Sequence, residues 1–153
     1  LALAACALAT LLPACASTRS DVTGGVEVEL FVGREGGSYA RYHVHQAGTL
    51  RFGGGNEARV KQYSWEGALT EEELASLAQL LERYDDYRRR PPAAGRVMTN
   101  REYWLRVRTP HGGWTHADSG IPPSVEELES LLAAAALRRH DATLHRIAPG
   151  PRE

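Results

Sequence analysis

Cysteine is nearly absent: there are two in 153 residues, and both precede residue 16. The body of the chain therefore has no disulfide, no thiolate metal site and no cysteine nucleophile. Lysine is scarcer still, since Lys61 stands alone among 18 Lys and Arg residues. Against 19 acidic side chains these leave a net charge of −1, a balance that says little about partners. A secreted chain, which residues 1–18 imply, rarely meets nucleic acid, so no nucleic-acid partner is expected. Charge is missing altogether from residues 1–18, which are rich in Ala and Leu. A long apolar run is missing too: Leu1–Leu12 falls short of the ~20 residues a membrane span requires, and Pro13 would disturb such a helix. A short uncharged run followed by small residues reads as the later part of a secretory leader whose basic start lies upstream of Leu1.

What is present in that stretch is two sites of one kind. "LAAC" (Leu3 to Cys6) and "LPAC" (Leu12 to Cys15) both resemble bacterial lipoprotein cleavage sites, where the cysteine is acylated and becomes the first residue. After Cys6 the chain stays apolar, whereas after Cys15 it turns at once into the polar "ASTRSD". Cys15 is therefore the expected lipidation site and Cys6 the alternative. Residues 1–15 read as an N-terminally truncated lipoprotein signal peptide and 16–25 as a tether. The domain follows over 26–147, and 148–153 form a tail. Ala16 lacks the acidic character that, by resemblance to enteric lipoproteins, retains them in the inner membrane. The periplasmic side of an outer membrane is the expected location. Ordinary cleavage, releasing a soluble periplasmic protein, is the alternative.

From Val26 the apolar residues alternate. "VEVELFV", "SYARYHVHQ", "TLRF" and "EARVKQYSWEG" read as four strands joined by Gly-rich turns. The period then becomes helical. Thr70 and Glu73 form a capping box ahead of a stripe of Leu74, Leu77, Ala78, Leu81 and Tyr84. After "PPAAGRVMTN" come two strands, "REYWLRVRT" and "GWTHAD", and a second helix. There Ser124 is the expected N-cap, with Glu127 closing the box and Val125, Leu128, Leu131, Leu132 and Ala135 forming the stripe. The order ββββ-α-ββ-α predicts a two-layer α+β domain with a mostly antiparallel sheet of about six strands. Two helices cover one face and the other is open. Val28, Leu30, Leu50, Phe52, Val60, Leu105 and Val107 should lie under Leu74, Leu77, Leu81, Leu128 and Leu132.

Candidate sites follow from strand parity. His43 and His45, two apart, share a face with Tyr39 and Arg41. They could supply half of a zinc site, with His111, His116 or Asp118 as missing ligands, but they read as solvated strand histidines and no metal is expected. "HADSG" holds the residue types of a hydrolase triad, but adjacent in sequence rather than assembled from separate segments. "RYDDYRRR" reads as a helix end whose cations offset the dipole, and "FGGGNE" as a turn. Alternation places Trp104, Arg106 and Arg108 on the face away from the helices, and Trp65 and Tyr63 with them. With Tyr39, His43 and His45 they make a candidate contact surface of types enriched at hot spots.

The strings "LTEEELASLAQLLERY", "EYWLRVRTPHGGWTH" and "PPSVEELESLLAAA" resemble the emfourins, protein inhibitors of thermolysin-like metalloproteases, and similar envelope lipoproteins. The resemblance spans about Val26 to Arg139 and implies an inhibitor, with no inhibitory segment assigned to any residue. The leader and "TLRFGGGNEARVKQYSWEG" depart from it. The expectation is a non-catalytic, lipid-anchored envelope domain that binds a protein partner through its sheet face. No cofactor is expected; protease inhibition and a zinc-dependent enzyme are the alternatives.

Overall fold

Alternation along β1 (Glu27–Arg34) buries Val28, Leu30 and Val32 against one layer and turns Glu27, Glu29 and Phe31 to the other side. The same alternation repeats in β2 (Ser38–Val44), β3 (Thr49–Gly54) and β5 (Arg101–Thr109), and continues on β6 (Gly112–Ser119). The computed structural model describes residues 25–34, 36–90 and 100–147. Cys6, Cys15, the leader, tether residues 16–24, most of the loop before β5 and the tail 148–153 lie outside the described residues.

With β4 (Trp65–Ala68), the six strands form one sheet in the order β4-β3-β2-β1-β5-β6, with every pairing antiparallel. β1 is central, with Leu30 opposite Tyr42 on one side and Leu105 on the other. Two long helices, α2 (Glu71–Arg89) and α3 (Pro123–Ile147), cover one face. Leu77, Leu80 and Tyr84 from α2 join Val125, Leu128 and Leu132 from α3 over the buried strand residues, giving one continuous core. The α2 capping box forms as expected: the Thr70 amide donates to Glu73 Oε2 at 2.7 Å and the Glu73 amide to Thr70 Oγ1 at 3.2 Å.

The fold class is thus the α+β sheet-and-helix arrangement the periodicities predict, with four local corrections. The segment read as a long fourth strand is helical at its start, as α1 (Asn56–Arg59), and extended only over β4 (Trp65–Ala68). Val60, expected in the core, is 54% exposed just after α1. The first-helix stripe runs through Leu77, Leu80 and Tyr84, leaving Leu74 and Leu81 half-buried at its edge. In α3 the chain is already helical at Pro123, so Ser124 is not the N-cap; the Val125 and Glu126 amides donate to the Pro122 carbonyl instead. Proline suits that first position because its missing amide would have had no helical partner. Glu127 accepts from Arg83 rather than closing a box.

The face away from α2 and α3 is only partly open, because residues 56–64 fold back across it. A Cβ on Gly53 would lie 2.1 Å from the Gln62 carbonyl oxygen, so only glycine admits this close backbone approach. Arg41 Nε donates to the Ala58 carbonyl at 2.8 Å, and Ala58 is fully buried away from the main core. The turn back toward β4 passes through Lys61 in the left-handed region, φ 59°.

Candidate functional site

Glu29, at the middle of the central strand, organises the half-covered face. Arg41 from β2 donates to its Oε1 at 2.6 Å and Arg106 from β5 to its Oε2. Glu29 and Arg41 are both buried, so the pair is protected from water screening. Burial alone would raise the Glu29 pKa, but the hydrogen bonds from Arg106 and Arg41 outweigh it and hold the carboxyl below its usual value. Cross-strand register extends the alternation of charge: Arg51 opposes Glu66, and its Nε donates to Glu66 Oε2.

Aromatic rings fill the row beside these charges. The Arg41 guanidinium lies 4.9 Å from the Phe31 ring centre and 5.9 Å from that of Trp104, while Arg106 lies 4.9 Å from Trp104. Phe31 stacks on Tyr39 at 5.9 Å, and Arg59 of α1 sits over Tyr39 at 5.4 Å. Where the 56–64 segment meets the sheet, Phe31, Arg41, Lys61 and Trp104 line a recess of about 300 Å³. Its floor is aromatic, and its rim carries a lysine held by strained backbone.

Next to Glu29 lies a cluster of ligating side chains. His43 Nε2 donates to Glu27 Oε1 at 2.7 Å, and the His43 and His45 rings are 4.1 Å apart. One donor atom from each of Glu27, His43 and His45 falls within 4.8 Å of the others. Tyr63 lies 5.9 Å from His43, so the two histidines are half-buried rather than fully solvated. Arg108 Nη1 donates to Glu27 Oε2 at 3.2 Å. The Glu27 pKa is lowered, chiefly by the His43 hydrogen bond, against burial and with help from Arg108. His45 is shifted toward the neutral form, first by burial and then by the charges of His43 and Arg51. Its Nε2 is buried with no hydrogen-bond partner.

Of the expected contact residues, Trp104, Arg106, Arg108, Tyr39, Tyr63, His43 and His45 do share this face. Trp65 does not. It pairs with Phe52 and packs against the core on the helix side, because α1 interrupts the alternation that was counted from Val60. His116 is also misplaced as a ligand for His43 and His45. It opposes Leu105 on the helix side, where the Tyr84 hydroxyl meets its Nδ1 and the Tyr103 hydroxyl lies 3.3 Å away. Asp118 shares that side opposite Tyr103, whereas Ser119 opposes Glu102 on the other, so "HADSG" cannot converge as a triad. His111 sits in the turn between β5 and β6. "RYDDYRRR" is a helix end as expected: Asp85 pairs with Arg88 and Arg89, and Arg88 lies over Trp114 at 4.9 Å.

Parity alone missed Phe31, Glu27, Glu29 and Lys61. The first three lie on the polar side of β1, and only the strand order places them between the histidines and Trp104. Fold and site together define the class: an α+β domain with a charged, aromatic sheet face. No protein-family model matches the chain, and no curated protein matches it either. The chemistry of the face is therefore read from its own residues.

Proposed function

We propose that this is a non-catalytic binding domain of the bacterial envelope, lipid-anchored through Cys15, which engages a protein partner through the Trp104 side of its sheet. The recess among Phe31, Arg41, Lys61 and Trp104 supports this reading more than any other observation. An indole and a phenyl ring, half-buried and held by guanidinium groups, offer a rigid contact that loses little entropy on binding. Around Trp104 the cations Arg41, Arg106 and Lys61 outnumber the carboxylates Glu29 and Glu102, so the complementary partner surface is acidic. The nearby carboxylates are engaged by arginines as structural acceptors, which suits a contact surface better than acid–base chemistry.

Photo-crosslinking in intact cells tests the face. A benzophenone residue replacing Trp104 should yield a discrete protein adduct that Lys61→Glu abolishes, while the same probe at Ser130 on α3 yields none. Identical adducts from both positions would refute the face. The anchor has its own test: detergent partitioning should require Cys15 and survive Cys6→Ser. A panel of thermolysin-like metalloproteases addresses the partner class that the emfourin resemblance implies.

A further inference from the structure

The Glu27–His43–His45 cluster has three features that a solvated strand pair lacks. Glu27 begins β1 and His43 lies on the adjacent β2, while His45 follows β2 directly and its amide donates to the Thr49 carbonyl at 2.8 Å, so strand pairing and a hydrogen-bonded turn hold the donors close. Their set, two imidazoles and one carboxylate, matches borderline divalent metals better than calcium or magnesium, which prefer all-oxygen cages. The third feature is His45 Nε2, a buried nitrogen without a hydrogen-bond partner. Buried polar atoms are almost always satisfied, so an orphan on one of three clustered donor side chains points to a missing ligand.

We propose that Glu27, His43 and His45 bind one divalent transition-metal ion of the zinc class, with a remaining coordination position open to solvent or to an outside ligand. The metal takes the place of the proton between His43 Nε2 and Glu27 Oε1, that proton passing to solvent and His43 being left as the neutral imidazole protonated at Nδ1, and it gives His45 Nε2 its missing partner. Tetrahedral zinc bonds of about 2.0–2.1 Å set neighbouring donors about 3.3 Å apart, so the His43–Glu27 pair must open from 2.7 Å while donors as much as 4.8 Å apart draw in. Small rotations of the imidazole rings accomplish this without moving either strand. Arg108 opposes the metal, because it holds the same carboxylate at 3.2 Å and repels a dication. This site is separate from the Trp104 recess and neither requires it nor follows from it.

The test is titration of the purified protein with zinc chloride by calorimetry, and with cobalt chloride by visible absorption, magnesium chloride being the control. One equivalent of zinc should bind, cobalt should develop d–d bands, and magnesium should do neither. Losing a group that merely orients a ligand costs roughly 10–100-fold in affinity, so His43→Gln and His45→Gln should each cost no less. His111→Gln should leave affinity unchanged, and Arg108→Ala should tighten it. Circular dichroism melts of the same variants separate loss of the ligand from loss of the fold. Absence of zinc binding by the folded protein overturns the site. So does stoichiometric binding that survives both histidine substitutions. Unchanged affinity in Glu27→Gln removes Glu27 from the ligand set and overturns the three-donor site.

Discussion

Tyr84 shows how one side chain can tie stability to pH. It is 1% exposed, shares a hydrogen bond of 2.9 Å with the Tyr103 hydroxyl, and stacks on Trp114. Burial, then the Tyr103 hydrogen bond, raises its pKa far above the usual tyrosine value. The folded state therefore keeps a proton that the unfolded chain releases at about pH 10. Its contribution is fully present below that pH and falls as the pH rises beyond it. Urea melts between neutral and strongly alkaline pH should show stability declining above about pH 10, with a shallower decline in Tyr84→Phe. An equal decline in the two proteins would show that the hydroxyl is not the titrating group. The hydrophobic stripe in the sequence revealed Tyr84 as a core residue. Its polar partners, Tyr103 and His116, were hidden, because they lie on strands whose position under α2 depends on the whole topology.

At the scale of elements, what could be read in advance depended on whether the signal was local. The α2 capping box was legible because Thr70 and Glu73 satisfy each other within one turn. Thr70→Ala should cost about 1 kcal/mol by chemical denaturation, and an unchanged midpoint would mean that the helix end is held by tertiary contacts alone. The 56–64 segment was not legible. "ARVKQYSW" carries a fair strand pattern, but its conformation is decided by Gly53, which admits the Gln62 carbonyl, and by Arg41, which reaches the Ala58 carbonyl. Both partners come from outside the segment. Parity counted from Val60 therefore puts Trp65 on the wrong side of the sheet, whereas parity along the uninterrupted β2 and β5 places His43 and Trp104 on one face.

For the molecule as a whole, the two layers divide the labour. Stability resides between the helices and the sheet, where Leu128 and Leu132 are 1% and 0% exposed. Leu128→Ala should remove about 2–5 kcal/mol of a total that in small domains is about 5–15 kcal/mol. Trp104→Ala, on the half-covered face, should cost distinctly less. Equal losses in denaturant melts of the two variants would mean that the sheet has a second core rather than a contact face. The two-layer arrangement was legible because binary patterning reports burial directly. The Glu27–His43–His45 cluster was only half legible: His43 and His45 announce themselves two residues apart in the sequence, while Glu27 reaches them only through the pairing of β1 with β2.

Lys61 is the one lysine of the sequence, a point of backbone strain and part of the lining of the Trp104 recess. Its solitude also makes it a reporter. An acylating dye that attacks side-chain amines has one address in this sequence, exposed and within the lining of the aromatic recess. The rate of that modification measures access to the recess without any engineered tag. An occupant seated against Trp104 would slow it, and the indole fluorescence beside the attached dye would register the occupant's arrival and departure.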